Sequence, residues 1–157
     1  MSSDPITPAS IRLAAMNYLS MREHSLGELT KKLTQKYGAE ALVDEVLARL
    51  TEQNLQSDRR FTEAFVAMRQ RQGKGSVLIK IELREKMVSS ALIEEYIDES
   101  NPVWGQLAQQ AYRKRFGAVG KLDAKERAKH MRFLQSRGFA ARHIQYVFQS
   151  SEWDAFD

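Results

Sequence analysis

The chain of 157 residues contains no cysteine. That excludes disulfide scaffolds, cysteine-ligated zinc, iron–sulfur clusters and thiol catalysis, and it fits a reducing compartment. Proline is nearly as scarce, with three residues at positions 5, 8 and 102, and only 8 glycines are present. Long stretches therefore carry nothing that would break a helix. No apolar run approaches the roughly 18 residues of a membrane span. The opening from Met1 to Pro8 lacks the charged-then-apolar layout of a secretory signal, so a soluble cytoplasmic protein is expected.

Recognisable catalytic chemistry is also missing. His24, His130 and His143 lie at no metal-ligand spacing, and each is expected at the surface or at a helix cap. Gly73-Lys74-Gly75-Ser76 resembles a phosphate-binding loop only superficially, because no glycine stands at the required upstream position and no strand precedes it. Glu94-Glu95 and Asp98-Glu99 sit at helix-surface spacing, where paired carboxylates are solvated far more often than catalytic. No enzyme activity, cofactor or metal is expected.

What the sequence does contain is helical periodicity. Ile11, Ala14, Ala15, Tyr18 and Leu19 recur at three- and four-residue spacing in a first helix starting near Pro8. Ser25 with Glu28 forms a capping box opening a second, built on Leu26, Leu29 and Leu33. After Gly38, a third carries Leu42, Val43, Val46, Leu47 and Leu50. Ser57-Asp58 caps a fourth, whose apolar face reads Phe61, Ala64, Phe65 and Met68. Gly73-Lys74-Gly75-Ser76 breaks that helix and offers a place for close backbone approach to a partner. A fifth follows on Val77 or Leu78, Ile79, Leu83 and Met87, and a sixth on Leu92, Ile93, Tyr96 and Ile97. Asn101-Pro102, as N-cap and first helical residue, opens a seventh through Trp104, Leu107, Ala108, Ala111 and Tyr112. Asp123 caps an eighth through Met131 and Leu134, and Ile144, Val147 and Phe148 mark a ninth.

Nine helices fall into three triplets. Leu83, Lys86, Ile93, Tyr96 and Ile97 precede Leu134, Arg137, Ile144, Val147 and Phe148 at a constant offset of 51. The third helices of the first two triplets align at 50, as in Val43 with Ile93 and Leu47 with Ile97, whereas Leu29 pairs with Leu83 at 54. That pairing implies a longer link in the first triplet around Lys36 to Glu40. The expectation is an all-α tandem array, elongated and curved, of three three-helix modules at 8–56, 57–100 and 101–150, with a tail at 151–157. Whether Trp153 and Phe156 dock on the last module is left open.

The net charge of +4 is unevenly spread. From Arg59 to Lys86 eight bases face three acids, and from Arg113 to Arg142 ten face two, giving +5 and +8. Glu94, Glu95, Asp98 and Glu99, and likewise Glu40, Asp44, Glu45, Glu52 and Asp58, make the third helices of the first two modules acidic. Stacked modules would line their basic helices into a strip attractive to phosphates or an acidic protein groove, although lysine and arginine also solvate ordinary helix faces. Phe61, Phe65, Leu83 and Leu134 are expected in the core.

Four motifs follow in order: Arg22-x-His24-Ser25-x-x-Glu28-Leu29-x-x-Lys32-Leu33; Asp58-x-x-Phe61-x-x-x-Phe65-x-x-x-Arg69; Gly75-x-x-x-Ile79-x-x-Glu82-Leu83-x-x-Lys86; and Arg132-Phe133-Leu134-x-x-Arg137-Gly138-Phe139. Together they resemble the RecX family of bacterial recombinase regulators over residues from about 10 to 150. Met87 stands where family members commonly carry glycine. The resemblance implies a non-enzymatic negative regulator that binds RecA filaments on single-stranded DNA. It would inhibit filament growth, ATP hydrolysis, strand exchange and LexA self-cleavage, and so control recombination and the SOS response. The partners implied are the RecA filament and the single-stranded DNA within it, with weak binding to free DNA, no membrane and a monomeric chain. The contact residues expected on this reading are Arg69, Arg71, Lys74, Lys80, Arg84 and Lys86 in the second module. In the third they are Arg113, Lys114, Arg115, Lys125, Lys129, Arg132 and Arg137. The alternative is a direct DNA-binding module, architectural or transcriptional, reading through the last helix with Arg142, His143 and Gln145.

Overall fold

The structure is a computed structural model that describes residues 6–154, with side chains through residue 149. The tail residues Trp153, as a side chain, and Phe156 lie outside the described residues, as do residues 1–5. Nine α-helices and no strand occur among the described residues, as the periodicity predicts. They are α1 (Pro8–Met21), α2 (Leu26–Tyr37), α3 (Glu40–Glu52), α4 (Asp58–Arg71), α5 (Ser76–Glu85), α6 (Ser90–Tyr96), α7 (Val103–Phe116), α8 (Ala124–Ser136) and α9 (Ala141–Asp154). None is long and apolar enough to cross a membrane.

Most of the expected caps form. Ser25 Oγ accepts from the Glu28 N–H while Glu28 Oε1 accepts from the Ser25 N–H, closing the capping box. Ser57 Oγ receives the Arg60 N–H and Asp123 Oδ1 the Glu126 N–H, each satisfying a donor that the first turn leaves orphaned. The expected Asn101 cap is displaced by one residue: α7 starts at Val103 with Pro102 as its N-cap, and Asn101 Oδ1 receives the Val103 N–H from outside the helix. A second capping box, Thr7 with Ser10, opens α1.

The repeat is tighter than its apolar pattern predicts. Pro8 and Asp58, Leu26 and Ser76, and Glu40 and Ser90 start corresponding helices, all at one common offset. Buried residues pair at that same offset: Ile11 with Phe61, Ala15 with Phe65, Leu29 with Ile79, Leu33 with Leu83, Val43 with Ile93 and Leu47 with Ile97. The partner of Leu83 is therefore Leu33, not Leu29, and the first triplet has no longer link. The pairing of Leu29 with Leu83 is one helical turn out of register, and a three-to-four-residue stripe looks alike when slid by one turn. One position further on, Leu83, Val88, Ile93 and Ile97 match the buried Leu134, Phe139, Ile144 and Phe148 of the third triplet.

By packing, the chain divides into two compact units: residues up to Phe65 with Leu83–Ile93, and Val66–Glu82 with Glu94 onward. The first unit is centred on Ile11, Ala15, Leu29, Leu33, Val43, Val46, Leu47 and Leu50, contributed by α1, α2 and α3. Phe61 and Phe65 stack at 5.4 Å in the same unit. Ser25 Oγ donates to the Lys86 carbonyl at 2.9 Å, and a Cβ on Gly27 would lie 2.7 Å from that oxygen. The second unit is centred on Ala108, Tyr112, Leu134, Phe139, Ile144, Val147 and Phe148.

Three local expectations change. On α4, Thr62 and Val66 are buried beside Phe61 and Phe65, while Ala64 and Met68 are exposed. His24 and His143 are buried rather than at the surface, since a backbone carbonyl gives each ring a polar partner. His24 Nδ1 bonds the Arg22 carbonyl at the end of α1, and His143 Nε2 bonds the Glu99 carbonyl. Met87, expected on the apolar face of α5, is 74% exposed and takes φ +64°. Gly138, its counterpart in the third triplet, takes φ +89°, so the repeat extends to a left-handed residue at the same place. A side chain there costs about 1–2 kcal/mol. Met87→Gly is expected to raise stability by about 0.5–1 kcal/mol in denaturant titration, the relief exceeding glycine's entropy cost. A loss of stability would mean that Met87 packing outweighs the strain.

Candidate functional site

The family-type motifs turn out to hold the fold together. In the first unit, Glu28 receives both terminal nitrogens of Arg22, at 2.8 and 3.2 Å, and faces Lys86 Nζ at 3.7 Å, with its side chain only 10% exposed. Burial alone would raise the Glu28 pKa. Hydrogen bonds from Arg22 and the Ser25 N–H, with the charges of Arg22 and Lys86, instead pull it down to about 2. Lys32 Nζ lies 3.0 Å from His24 Nε2, so neutral His24 donates through Nδ1 and accepts at Nε2. Burial pushes the His24 pKa down, against the pull of its bond to the Arg22 carbonyl.

Both shifts act in the same direction. The unfolded chain takes up each proton first, so the contributions of His24 and Glu28 are complete above about 6.5 and 4.5, their ordinary values, and are lost as pH falls below these. The Glu28 part is on the order of 2 kcal/mol after screening at the exposed Arg22. Chemical denaturation of Glu28→Gln between pH 5 and about 2 should show a flatter loss of stability than the parent. Parallel profiles would contradict this role.

In the second unit, Arg69 is ion-paired with Glu82, and Lys80 Nζ lies 2.6 Å from Glu99, whose pKa is held down first by that hydrogen bond. The glycine turn is likewise engaged within the unit. The Gly75 N–H donates to the Arg137 carbonyl at 2.8 Å and the Val77 N–H to the Gly138 carbonyl at 2.9 Å. A Cβ on Gly75 would stand 2.4 Å from the Phe139 nitrogen. The close backbone approach expected with a partner is thus made with the chain's own turn after α8.

That junction sets the position of Arg137 and borders a cleft of about 490 Å³ within the second unit. The end of α4 brings Gln70, Arg71 and Gln72 to it. On α7, Leu107 is followed by Gln110, Ala111 and Lys114 at the three-, four- and seven-residue steps that share one helix face, with Arg115 beside them. Phe133 and Arg137 complete it from the end of α8. Four cations converge, and none of the described residues lining the cleft is acidic. Behind it lies an aromatic cluster. Phe116 meets the Phe133 ring edge to face at 5.2 Å and stacks on His130 at 3.7 Å, and His130 Nδ1 bonds the buried Tyr112 hydroxyl at 2.7 Å. The Arg115 and Arg137 guanidiniums ride over Phe116 and Phe133, each at 5.1 Å.

Of the thirteen expected contact residues, Arg71, Lys114, Arg115 and Arg137 come together in this cleft. Arg69, Lys80 and Lys86 hold ion pairs within their own units. Lys74 is half-buried after α4, with its N–H on the Arg69 carbonyl, and Arg84 and Arg113 are exposed on α5 and α7. Lys125, Lys129 and Arg132 are exposed on α8 at spacings of four and three, one outward row beyond the cleft lining. Gln70, Gln72, Gln110 and the cleft role of Phe133 escape the sequence reading, although the spacing from Leu107 to Lys114 carries a signal for that face. No cluster of three metal-type ligands occurs among the described residues. On α9, Arg142 and Gln145 are exposed, but His143 is buried with its Nε2 held on the Glu99 carbonyl, so the expected reading set is incomplete.

Three three-helix domains define the class, and the comparisons give it a family. Family models described as the first, second and third three-helix domains of RecX match residues 12–50, 57–97 and 106–148. A relative from Pseudomonas savastanoi pv. phaseolicola, named Regulatory protein RecX, is 38% identical over 133 residues, covering 85% of this chain and 86% of its own. One of the same name from Pseudomonas putida F1 is 33% identical over 156 residues, 99% of this chain and 100% of its own. The crystal structure of RecX from Lactobacillus salivarius matches the fold with a TM-score of 0.77 at 20% identity, covering 93% of this chain and 97% of its own. The chain belongs to the RecX family of regulatory proteins.

Proposed function

We propose that this protein is a non-enzymatic negative regulator of the RecA recombinase. It binds RecA filaments on single-stranded DNA in the cytoplasm as a monomer and inhibits their growth, ATP hydrolysis, strand exchange and coprotease activity. Family membership supports the regulatory role. The observation that carries the partner chemistry is the cleft where Arg71, Lys114, Arg115 and Arg137 meet without a lining carboxylate. Such a site favours phosphates or an acidic protein surface and should weaken with salt. Arg69, Lys80 and Lys86 serve this reading less directly, because each is already engaged by a carboxylate. The three modules expected at 8–56, 57–100 and 101–150 would place this cleft in the third, with the end of α4 reaching it from the second.

The test is the single-strand-dependent ATP hydrolysis of RecA titrated with the purified protein. Hydrolysis is expected to fall with dose and to recover as salt rises. Full hydrolysis at saturating protein and low salt would refute the proposal.

A further inference from the structure

The second unit's cleft offers more than charge. A cation row alone holds a phosphate chain or an acidic helix equally well, but a guanidinium backed by an aromatic ring, with carboxamides nearby, matches a flat heteroaromatic ligand. We infer that the cleft receives an unstacked base, together with its flanking phosphates, from single-stranded nucleic acid. This rests on the proposal that the protein works on a filament containing such a strand.

Arg71, Lys114 and Arg115 are exposed on the cleft and take the phosphates. Arg137 lies 5.1 Å over the Phe133 ring, so the base meets a guanidinium held against an aromatic support. The Arg137 main chain is fixed by its carbonyl bond to the Gly75 N–H, which limits the ordering that stacking would otherwise require. Gln110, exposed on the same rim, carries both a donor and an acceptor for a base edge. The volume of about 490 Å³ lies in the range of small-ligand sites and suits a nucleotide or two rather than a helix. Duplex DNA keeps its bases stacked and hydrogen-bonded, leaving this cleft only the backbone. An acidic protein segment supplies carboxylates but no face to stack.

The experiment compares two oligonucleotides of equal length and phosphate count, one carrying bases and one abasic, at physiological salt. The base-bearing strand is expected to bind about tenfold more tightly. Arg137→Lys keeps the charge and loses the plane, so it should bring the two affinities within about twofold. Phe133→Leu keeps the apolar packing and should do the same, each variant being checked for an unchanged helical circular-dichroism spectrum. Equal binding of both strands by the unaltered protein overturns the inference. So does displacement of the strand by an equimolar free nucleoside triphosphate, which would assign the site to free nucleotide. Inhibition of RecA hydrolysis, measured on the same preparations, separates the readings. If inhibition persists with equal strand affinities, only the base pocket fails; if base preference persists without inhibition, the regulator reading fails.

Discussion

Gly75→Ala is expected to destabilise the protein by about 3–4 kcal/mol or to prevent folding of its second unit, placing it above the range of most single substitutions. The added Cβ would meet the Phe139 nitrogen at 2.4 Å and the Gly138 carbonyl group at 2.5 Å. These are backbone atoms, so no rotamer change relieves the clash. Any shift must also disturb the Gly75-to-Arg137 and Val77-to-Gly138 hydrogen bonds. Gly73→Ala is the control. Gly73 shares the turn and has φ +77°, but a Cβ there meets nothing within 4 Å. Its cost should stay near about 1 kcal/mol, the strain of the left-handed backbone alone. Thermal melting would place Gly75→Ala roughly 10 °C below the parent and Gly73→Ala within a few degrees of it. Similar losses in the two variants would remove the Gly75 junction from the account.

The second large effect is on binding. The triple variant Arg71→Glu, Lys114→Glu and Arg115→Glu should weaken inhibition of RecA hydrolysis by at least about 100-fold while retaining its helical circular dichroism. Three charges change sign on the cleft, and like-charge juxtaposition at an interface costs several kcal/mol. All three side chains are exposed, so the fold loses little. Reversal of Lys125, Lys129 and Arg132, the outward row of α8, separates local from general electrostatics. It alters charge equally but leaves the cleft lining untouched, and should cost less than about tenfold. If the cleft binds phosphates, the triple variant should also flatten the dependence of log affinity on log salt by about 0.7 for each phosphate it no longer engages.

The elements most legible in the sequence depend on local spacing. Capping by Ser25, Ser57 and Asp123 and burial of Phe61, Phe65, Leu83 and Leu134 follow from positions a turn or two apart. Register between modules is less legible. Sliding Leu29 onto Leu83 instead of Leu33 preserves the stripe, and only the helix starts remove the ambiguity. Charge is least legible of all. Glu28 on α2 and Lys86 just after α5 are far apart in the sequence, as Arg69 and Glu82 stand on either side of a turn, so the sequence counts each base as available while the fold pairs it. The cleft is hidden for the same reason. Its cations come from α4, α7 and the residue that caps the end of α8, and the junction of Gly75 with Arg137, far apart along the chain, brings the last of them into place.

The same distinction explains the family motifs. Arg22, His24, Glu28, Lys32 and Lys86 spend their polar groups on one another in the first unit, and Gly75, Arg69 and Glu82 are engaged within the second. They identify the fold. The cations proposed to act on a partner lie largely outside those motifs, Arg137 being the exception that belongs to both.

The most direct test is equilibrium binding at physiological salt to three substrates: bare duplex, bare single strand and single strand coated with RecA. The account predicts that the coated strand is bound most tightly, bare single strand more weakly and duplex least, with the coated-strand preference abolished in the Arg71, Lys114 and Arg115 variant. Tight, sequence-specific binding to bare duplex with no preference for the coated strand would contradict it.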